Sequence, residues 1–197
     1  QRIFKGREDT AGIIRSTDDG GFLLAGNKTY NDGDKDGTLI KLNAEGDISW
    51  EKDIGDITFN QNSKFTQISN GYLVSGKSKN GNQMIKKVMN DGTIKIHEFT
   101  SSDINNISDI SVEDNGDYIV SDNLGGSNDT SIVKLNSTDL SKAWENTISS
   151  DKKVFTTADG GYISAVPASA TDKGVALTKY KDDGTKGSLQ NKYIGDN

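Results

Sequence analysis

Almost the whole chain is made of short runs in which apolar and polar residues alternate, separated by glycine-centred breaks. The first set reads Ala11–Ser16, Asp19-Gly20, Phe22–Gly26, an Asp/Gly-rich loop, Thr38–Leu42, Glu45-Gly46 and a run around Ile48–Lys52. Period-two alternation marks a strand with one face toward a core. Asp-Gly and Asn-Gly pairs signal hairpins, because both central positions of a type I′ turn need φ > 0. Such pairs recur at Asp19-Gly20, Asn70-Gly71, Asp91-Gly92, Asn115-Gly116, Asp159-Gly160 and Asp183-Gly184. With 22 glycines and one proline, Pro167, turns fall to glycine and the strands are left unbroken. No long stretch carries a helical period.

The same set of runs returns along the chain. Each copy has an aromatic two or three residues after an Asp/Asn-Gly pair, at Phe22, Tyr72, Tyr118 and Tyr162, advancing by 50, 46 and 44 residues. A lysine inside an apolar stretch, at Lys41, Lys87, Lys134 and Lys179, advances by 46, 47 and 45. Two markers keeping one pace define four copies, approximately 7–56, 57–103, 104–151 and 152–197, in one domain. Residues 1–6, with Arg2-Ile3-Phe4-Lys5, resemble one more last strand from a copy otherwise absent. A four-stranded antiparallel unit of about 40–50 residues in tandem is the mark of a propeller blade. The expected fold is therefore all-β and β-propeller-type, with four tandem four-stranded antiparallel blades. They form either a closed four-bladed ring or a segment of a larger or two-chain propeller.

Composition adjusts this picture only at the edges. Hydrophobic residues make up 31% of 197 and the net charge is −6, which alone would suit a disordered chain. The repeat argues otherwise, since small stacked sheets share a core that no one segment supplies. The acidic balance lacks the electrostatic footprint of nucleic-acid binding. The absence of cysteine removes disulfides, thiolate nucleophiles and Cys-ligated zinc. No apolar run approaches the roughly 20 residues that span a bilayer, so the chain is not expected to cross one. It starts at Gln1, which reads as a processed or excised piece.

Three stretches resemble a known group: Thr17-Asp18-Asp19-Gly20-Gly21-Phe22-Leu23-Leu24-Ala25-Gly26, Asp36-Gly37-Thr38-Leu39-Ile40-Lys41-Leu42, and Trp50-Glu51-Lys52-Asp53-Ile54-Gly55. They look like blades of bacterial extracellular β-propellers of the broad kelch/quinoprotein-like type. Thr157-Ala158-Asp159-Gly160-Gly161-Tyr162 also resembles part of the Asp-box turn of sialidase-like propellers, without its final Thr-Trp. The resemblance implies the fold, an exported location, and an adhesive or sensory binding role rather than one activity.

Candidate chemistry is sparse. Asp32-Gly33-Asp34-Lys35-Asp36-Gly37 fits the first half of a calcium loop, with Asp32, Asp34 and Asp36 converging and the Thr38 carbonyl at the seventh position. Asn43 stands where the bidentate glutamate belongs, and the plainer reading is an acidic hairpin loop. Ca²⁺ is thus the only cofactor the sequence suggests, and none is required. The recurrent lysines either line an anion-attracting pore or lay their stems on the sheet while the ammonium reaches water or a neighbouring carboxylate, and recurrence in every copy favours the second. Trp50 and Trp144, each followed by glutamate on a last strand, either stack on a ligand or fill the wedge between blades. The four aromatics Phe22, Tyr72, Tyr118 and Tyr162 are expected in the core. His97 is the only histidine and reads as a surface strand residue, so no His-based metal site or Ser-His-Asp grouping is expected.

The function these features suggest is a non-catalytic, exported binding or adhesion module presenting loops to a carbohydrate or protein ligand. One alternative is a glycoside-acting enzyme with carboxylates at the propeller centre. Another is a structural segment of a larger surface protein, completed by a longer chain or a second copy.

Overall fold

The computed structural model describes residues 10–99, 104, 106–122, 129–149, 153–157, 161–167, 175–187 and 192–194. They form sixteen strands in four sheets, and there is no helix among the described residues. The first sheet holds β1 (Thr10–Ser16), β2 (Phe22–Thr29), β3 (Lys35–Leu42) and β4 (Ile48–Gly55). The second holds β5 (Phe65–Ile68), β6 (Gly71–Lys77), β7 (Gln83–Met89) and β8 (Ile94–Glu98). The third holds β9 (Ile107–Val112), β10 (Tyr118–Asp122), β11 (Asp129–Leu135) and β12 (Lys142–Ser149). The fourth holds β13 (Lys153–Thr156), β14 (Tyr162–Pro167), β15 (Val175–Tyr180) and β16 (Lys192–Ile194). In each sheet the strands lie in chain order and every neighbouring pair is antiparallel. The chain divides into two compact units, residues 1–100 and 101–197. The additional strand at 1–6 and Ala158–Gly160 of the Asp-box likeness lie outside the described residues.

The hairpins differ from the expected type I′ form. At the first, the Gly20 N–H donates to the Thr17 carbonyl at 3.0 Å and the Thr17 N–H to the Gly21 carbonyl at 2.9 Å. Gly20 has φ of 80° and, among the described residues, no aspartate of these turns has a positive φ. This is a type I turn closed by a left-handed glycine, the bulged three-residue hairpin. The same bond pair recurs at residues 30–34, 43–47, 78–82, 89–93, 113–117 and 181–185. The aspartate stays in ordinary backbone space and its carboxylate accepts an N–H two residues on, as Asp91 does from Thr93 at 2.8 Å and Asp183 from Thr185 at 2.9 Å. The β2–β3 ladder also runs further than the alternation suggested, pairing Lys28 with Asp36 and Thr29 with Lys35.

In the first unit, Ile13, Leu23, Ala25 and Leu39 meet Tyr72, Val74, Met84 and Val88 around a wedge made by Ile57 and Phe59. That wedge is tied on both sides. The buried Asn27 side chain donates to the Phe59 carbonyl at 2.8 Å and accepts the Phe59 N–H at 2.6 Å, standing in for a strand. Thr58 exchanges two backbone bonds with Lys77, at 2.8 and 3.0 Å. Room for the wedge comes from missing side chains. A Cβ on Gly12 would lie 2.6 Å from the Phe59 Cβ, one on Gly37 2.4 Å from Ile57, and one on Gly76 2.5 Å from the Thr58 carbonyl oxygen. In the second unit Ile119, Ile132, Val154, Tyr162 and Tyr180 form the core, with Trp144 against it.

Of the four recurrent aromatics, Tyr72, Tyr118 and Tyr162 are buried, whereas Phe22 is 37% exposed. Tyr72 and Tyr162 are covered by the tryptophan of the preceding sheet, Trp50 and Trp144 respectively. Phe22 begins the second strand of the first sheet of its unit and has no such cover, while Tyr118, at the same place in the other unit, is buried nonetheless.

Candidate binding site

Trp50 and Trp144 occupy the same place in their sheets. Each lies on the last strand, directly opposite the recurrent lysine of the third: Lys41 faces Trp50 and Lys134 faces Trp144. What each indole meets across the seam differs. Trp144 stacks on Tyr162, with centroids 5.7 Å apart and planes at 27°, and Tyr162 stacks on Tyr180 at 4.6 Å and 8°. Its Nε1–H donates to the Asp182 carbonyl at 2.6 Å, and a Cβ on Gly184 would lie 3.4 Å from its ring. The turn at 181–185 therefore closes over the indole, and Asn146 secures it by donating to the Gly184 carbonyl at 2.6 Å. Trp144 fills the wedge between blades.

Trp50 meets no such lid. The equivalent turn, 89–93, leaves a cavity of about 270 Å³ lined by Trp50, Glu51, Lys52, Tyr72, Val88, Met89 and Asn90. The Trp50 ring sits 6.2 Å from Tyr72 at 46°, and Tyr72 packs in turn on Phe65 at 5.3 Å. A Cβ on Gly92 would meet only the Lys52 ammonium, 3.2 Å away, and no atom of Trp50. No described residue accepts a hydrogen bond from Trp50 Nε1. The half-buried indole thus faces open space with a carboxylate, an ammonium and a carboxamide at the rim. Burial of the Tyr72 phenol pushes its pKa up, so it stays a neutral donor in the wall.

Three of the four recurrent lysines, Lys41, Lys134 and Lys179, reach the turn between the first and second strands. Lys41 is 5% exposed and donates to the Leu42 carbonyl at 2.9 Å while pairing with Asp19 at 2.9 Å. The Thr17 hydroxyl, the Lys41 ammonium and the Gly21 N–H hold the Asp19 carboxyl well below the usual carboxylate range. Lys134 pairs with Glu113 at 2.9 Å and Asp117 at 3.6 Å, and reaches Asp182 of the next sheet. Glu113 has no exposed side-chain area, and that burial pushes its carboxyl pKa up. Lys179 donates to the Thr157 hydroxyl. The ammonium groups serve the fold, as the recurrence suggested.

The residues of the proposed calcium loop are dispersed. Asp32 accepts the Asp34 N–H at 3.0 Å within the turn. Asp34 is paired with Lys79 at 2.6 Å, with Asp36 3.9 Å from the same ammonium. Thr38 lies within β3, paired with Gly26 and Asp53, and its buried hydroxyl has no hydrogen-bond partner. Only Asp34 and Asp36 come together, and what they share is a lysine. Around them stand Tyr30, which donates to Asp53, and Lys86, 2% exposed, which donates to the Ile54 carbonyl at 2.6 Å. Burial, with Asp53 nearby, raises the Asp36 pKa. No group of three or more His, Asp or Glu suited to a metal occurs among the described residues. His97 lies on β8 and packs edge-on against Phe99 at 4.5 Å.

Of the cleft residues, sequence reasoning singled out Trp50 alone. Lys52 and Asn90 carry no signal of their own. Tyr72 was marked as core, which it also is.

Four tandem antiparallel four-stranded meanders, with an aromatic seam between successive sheets of each unit, define an all-β fold of the β-propeller type. Solved structures agree. The chain is similar to the β-propeller domain of the Trilobed protease from Pyrococcus furiosus, which has an open velcro topology, with TM-score 0.65 and 10% identity over 97% of this chain and 59% of that one. It is similar to Pyrococcus horikoshii acylaminoacyl peptidase, with TM-score 0.61 and 11% identity over 91% of this chain and 32% of that one. A subtype N11 neuraminidase-like protein of A/flat-faced bat/Peru/033/2010 matches with TM-score 0.50 and 11% identity over 94% of this chain and 60% of that one. The chain therefore spans between a third and three-fifths of the length of these structures. No family model and no curated protein matches it.

Proposed function

We propose that this chain is a non-catalytic binding module that takes a carbohydrate or protein ligand at the Trp50 cleft. The observation that carries the reading is the contrast between two equivalent tryptophans, one closed over by its own chain and one left facing a cavity. Large, stiff aromatic faces bind at low entropy cost, and those left uncovered beside polar groups suit recognition. The residues of the cleft supply hydrogen-bonding and stacking groups, and the reading needs no cofactor. An exported, bacterial surface setting follows from the likeness to kelch/quinoprotein-like blades and belongs to the same proposal.

The test is a glycan and protein array probed with the wild-type chain and with Trp50→Ala. Binding that is lost in Trp50→Ala and kept in a variant of the closed seam, Trp144→Phe, is the expected result. Equal binding by wild type and Trp50→Ala overturns the assignment.

A second reading, a segment of a larger propeller, is favoured by the coverage of 59% of the Pyrococcus furiosus domain. A parent reading frame with further copies of the repeat, or a stable dimer in light scattering, is its expected signature.

A further inference from the structure

We infer that the Trp50 cleft is a subsite for a neutral pyranose ring, with the indole N–H of Trp50 donating to one of its oxygens. This rests on the reading of the cleft as the ligand site and names the class of ligand. The other seam of the same fold supplies the template. Around Trp144, the chain itself provides a carbonyl oxygen for Nε1 at 2.6 Å and the backbone of Gly184 for the ring, at 3.4 Å from a Cβ placed there. An occupant of the equivalent space beside Trp50 must offer the same two things, an acceptor oxygen and a patch of C–H surface adjoining it. A pyranose carries both, since the face of its ring is C–H and its edge is oxygen.

The rim selects further. Glu51 only accepts, Lys52 only donates, and Asn90 does both, so the lining mixes donors and acceptors without a net charge. Hydroxyl groups, each a donor and an acceptor, match that set better than a carboxylate, a phosphate or an ammonium. The walls also argue against a flat aromatic occupant. Trp50 and Tyr72 meet at 46° and form a wedge rather than a parallel-sided slot, and a thick, puckered ring suits a wedge. The backbone of the 89–93 turn, bonded within itself by Met89 N–H to Thr93 carbonyl at 2.9 Å, holds the far wall in place. The cleft is accordingly preformed on this side.

The chain has two tryptophans, so 5-fluorotryptophan labelling gives two ¹⁹F resonances, assigned with Trp50→Phe. Methyl glucopyranoside, galactopyranoside, mannopyranoside and xylopyranoside are titrated to millimolar concentrations, with glycyl-tryptophan as a non-sugar probe. The expected result is a saturable shift of the Trp50 resonance with at least one glycoside while the Trp144 resonance stays in place. Glu51→Ala should then weaken that glycoside about three- to tenfold, the worth of one hydrogen bond. A saturable Trp50 shift with glycyl-tryptophan and with no glycoside overturns the sugar class and leaves the cleft as a binding site. No Trp50 shift with any probe, or equal movement of both resonances, overturns the sugar class and the cleft reading together.

Discussion

Gly76 is an exacting point in the first unit, because the backbone that approaches it is held on both sides. Alanine there sets a methyl group 2.5 Å from the Thr58 carbonyl oxygen and 2.6 and 3.0 Å from two carbons of Ile57. The carbonyl is held by the Lys77 N–H at 3.0 Å, and the Thr58 N–H is bound to the Lys77 carbonyl at 2.8 Å. Retreat of residue 58 therefore lengthens both bonds and drags Phe59 against Asn27. Overpacking of this kind costs about 1–3 kcal/mol, and weakening two backbone bonds adds about 0.5–1.5 kcal/mol each. The reduced freedom of the unfolded chain returns about 0.4–1 kcal/mol. The expected net loss for Gly76→Ala is about 1–6 kcal/mol, centred near 3. Urea unfolding read at the ¹⁹F resonance of Trp50 should show a lower midpoint at unchanged slope. Gly33→Ala is the comparison: φ is 86° with nothing within 4 Å of the added atom, so only left-handed strain of about 1 kcal/mol is expected. A loss in Gly76→Ala no greater than in Gly33→Ala would refute the steric reasoning.

Four further outcomes follow from the charged and ionisable groups. Lys134→Met strips the cation from the fully buried Glu113 and should cost about 3–5 kcal/mol in urea unfolding, much of it recovered in Lys134→Met/Glu113→Leu; no recovery in the double variant refutes the pairing. Lys41→Met should cost less, because its carboxylate partner Asp19 has 64% of its side-chain area in solvent. The Tyr30 phenol donates to Asp53 and its pKa is pushed up to about 12, above the ordinary 10.0. A raised folded value means that this contribution to stability is whole below pH 10 and lost as pH climbs toward 12. Tyrosine ¹³C NMR should show Tyr30 ionising in that window, and Tyr30→Phe should flatten the corresponding stretch of the stability–pH curve. Finally, millimolar Ca²⁺ should leave the wild-type melting temperature unchanged, since Lys79 already neutralises Asp34. Lys79→Ala should make the midpoint rise with Ca²⁺; a saturable calorimetric signal in the wild type would show that the cation displaces the lysine.

Much of this fold is written in spacing. The recurrence of aromatic and lysine positions gives the four meanders because these positions carry the same structural duty in most sheets, such as Lys41 and Lys134 bracing a turn. Strand ends were harder to read. Asp36 and Gly37 have the composition of a loop, yet the ladder reaches them because Asn27 and Lys28 sit opposite and the five-residue turn at 30–34 is already complete. Turn type was misread for a related reason: Asp-Gly serves a type I turn with a left-handed glycine as well as type I′. The cleft was least legible. Trp50-Glu51 and Trp144-Glu145 are locally the same, and Asn90-Asp91-Gly92 resembles Asp182-Asp183-Gly184. Which seam opens depends on where the turn lands, a matter of packing over some forty residues that no local pattern records.

The inward lysine gives three of the repeats a stiff end and leaves a permissive one opposite. Where a side chain of the third strand must reach the turn between the first two, an insertion into that turn would carry its anchor out of range. In the first unit the connections between the second and third strands, 30–34 and 78–82, are held instead by an exposed ion pair between them, Lys79 with Asp34 at 2.6 Å. Variation during evolution, or loops grafted by design, should accumulate on that rim, leaving the braced rim as the conserved chassis of the module.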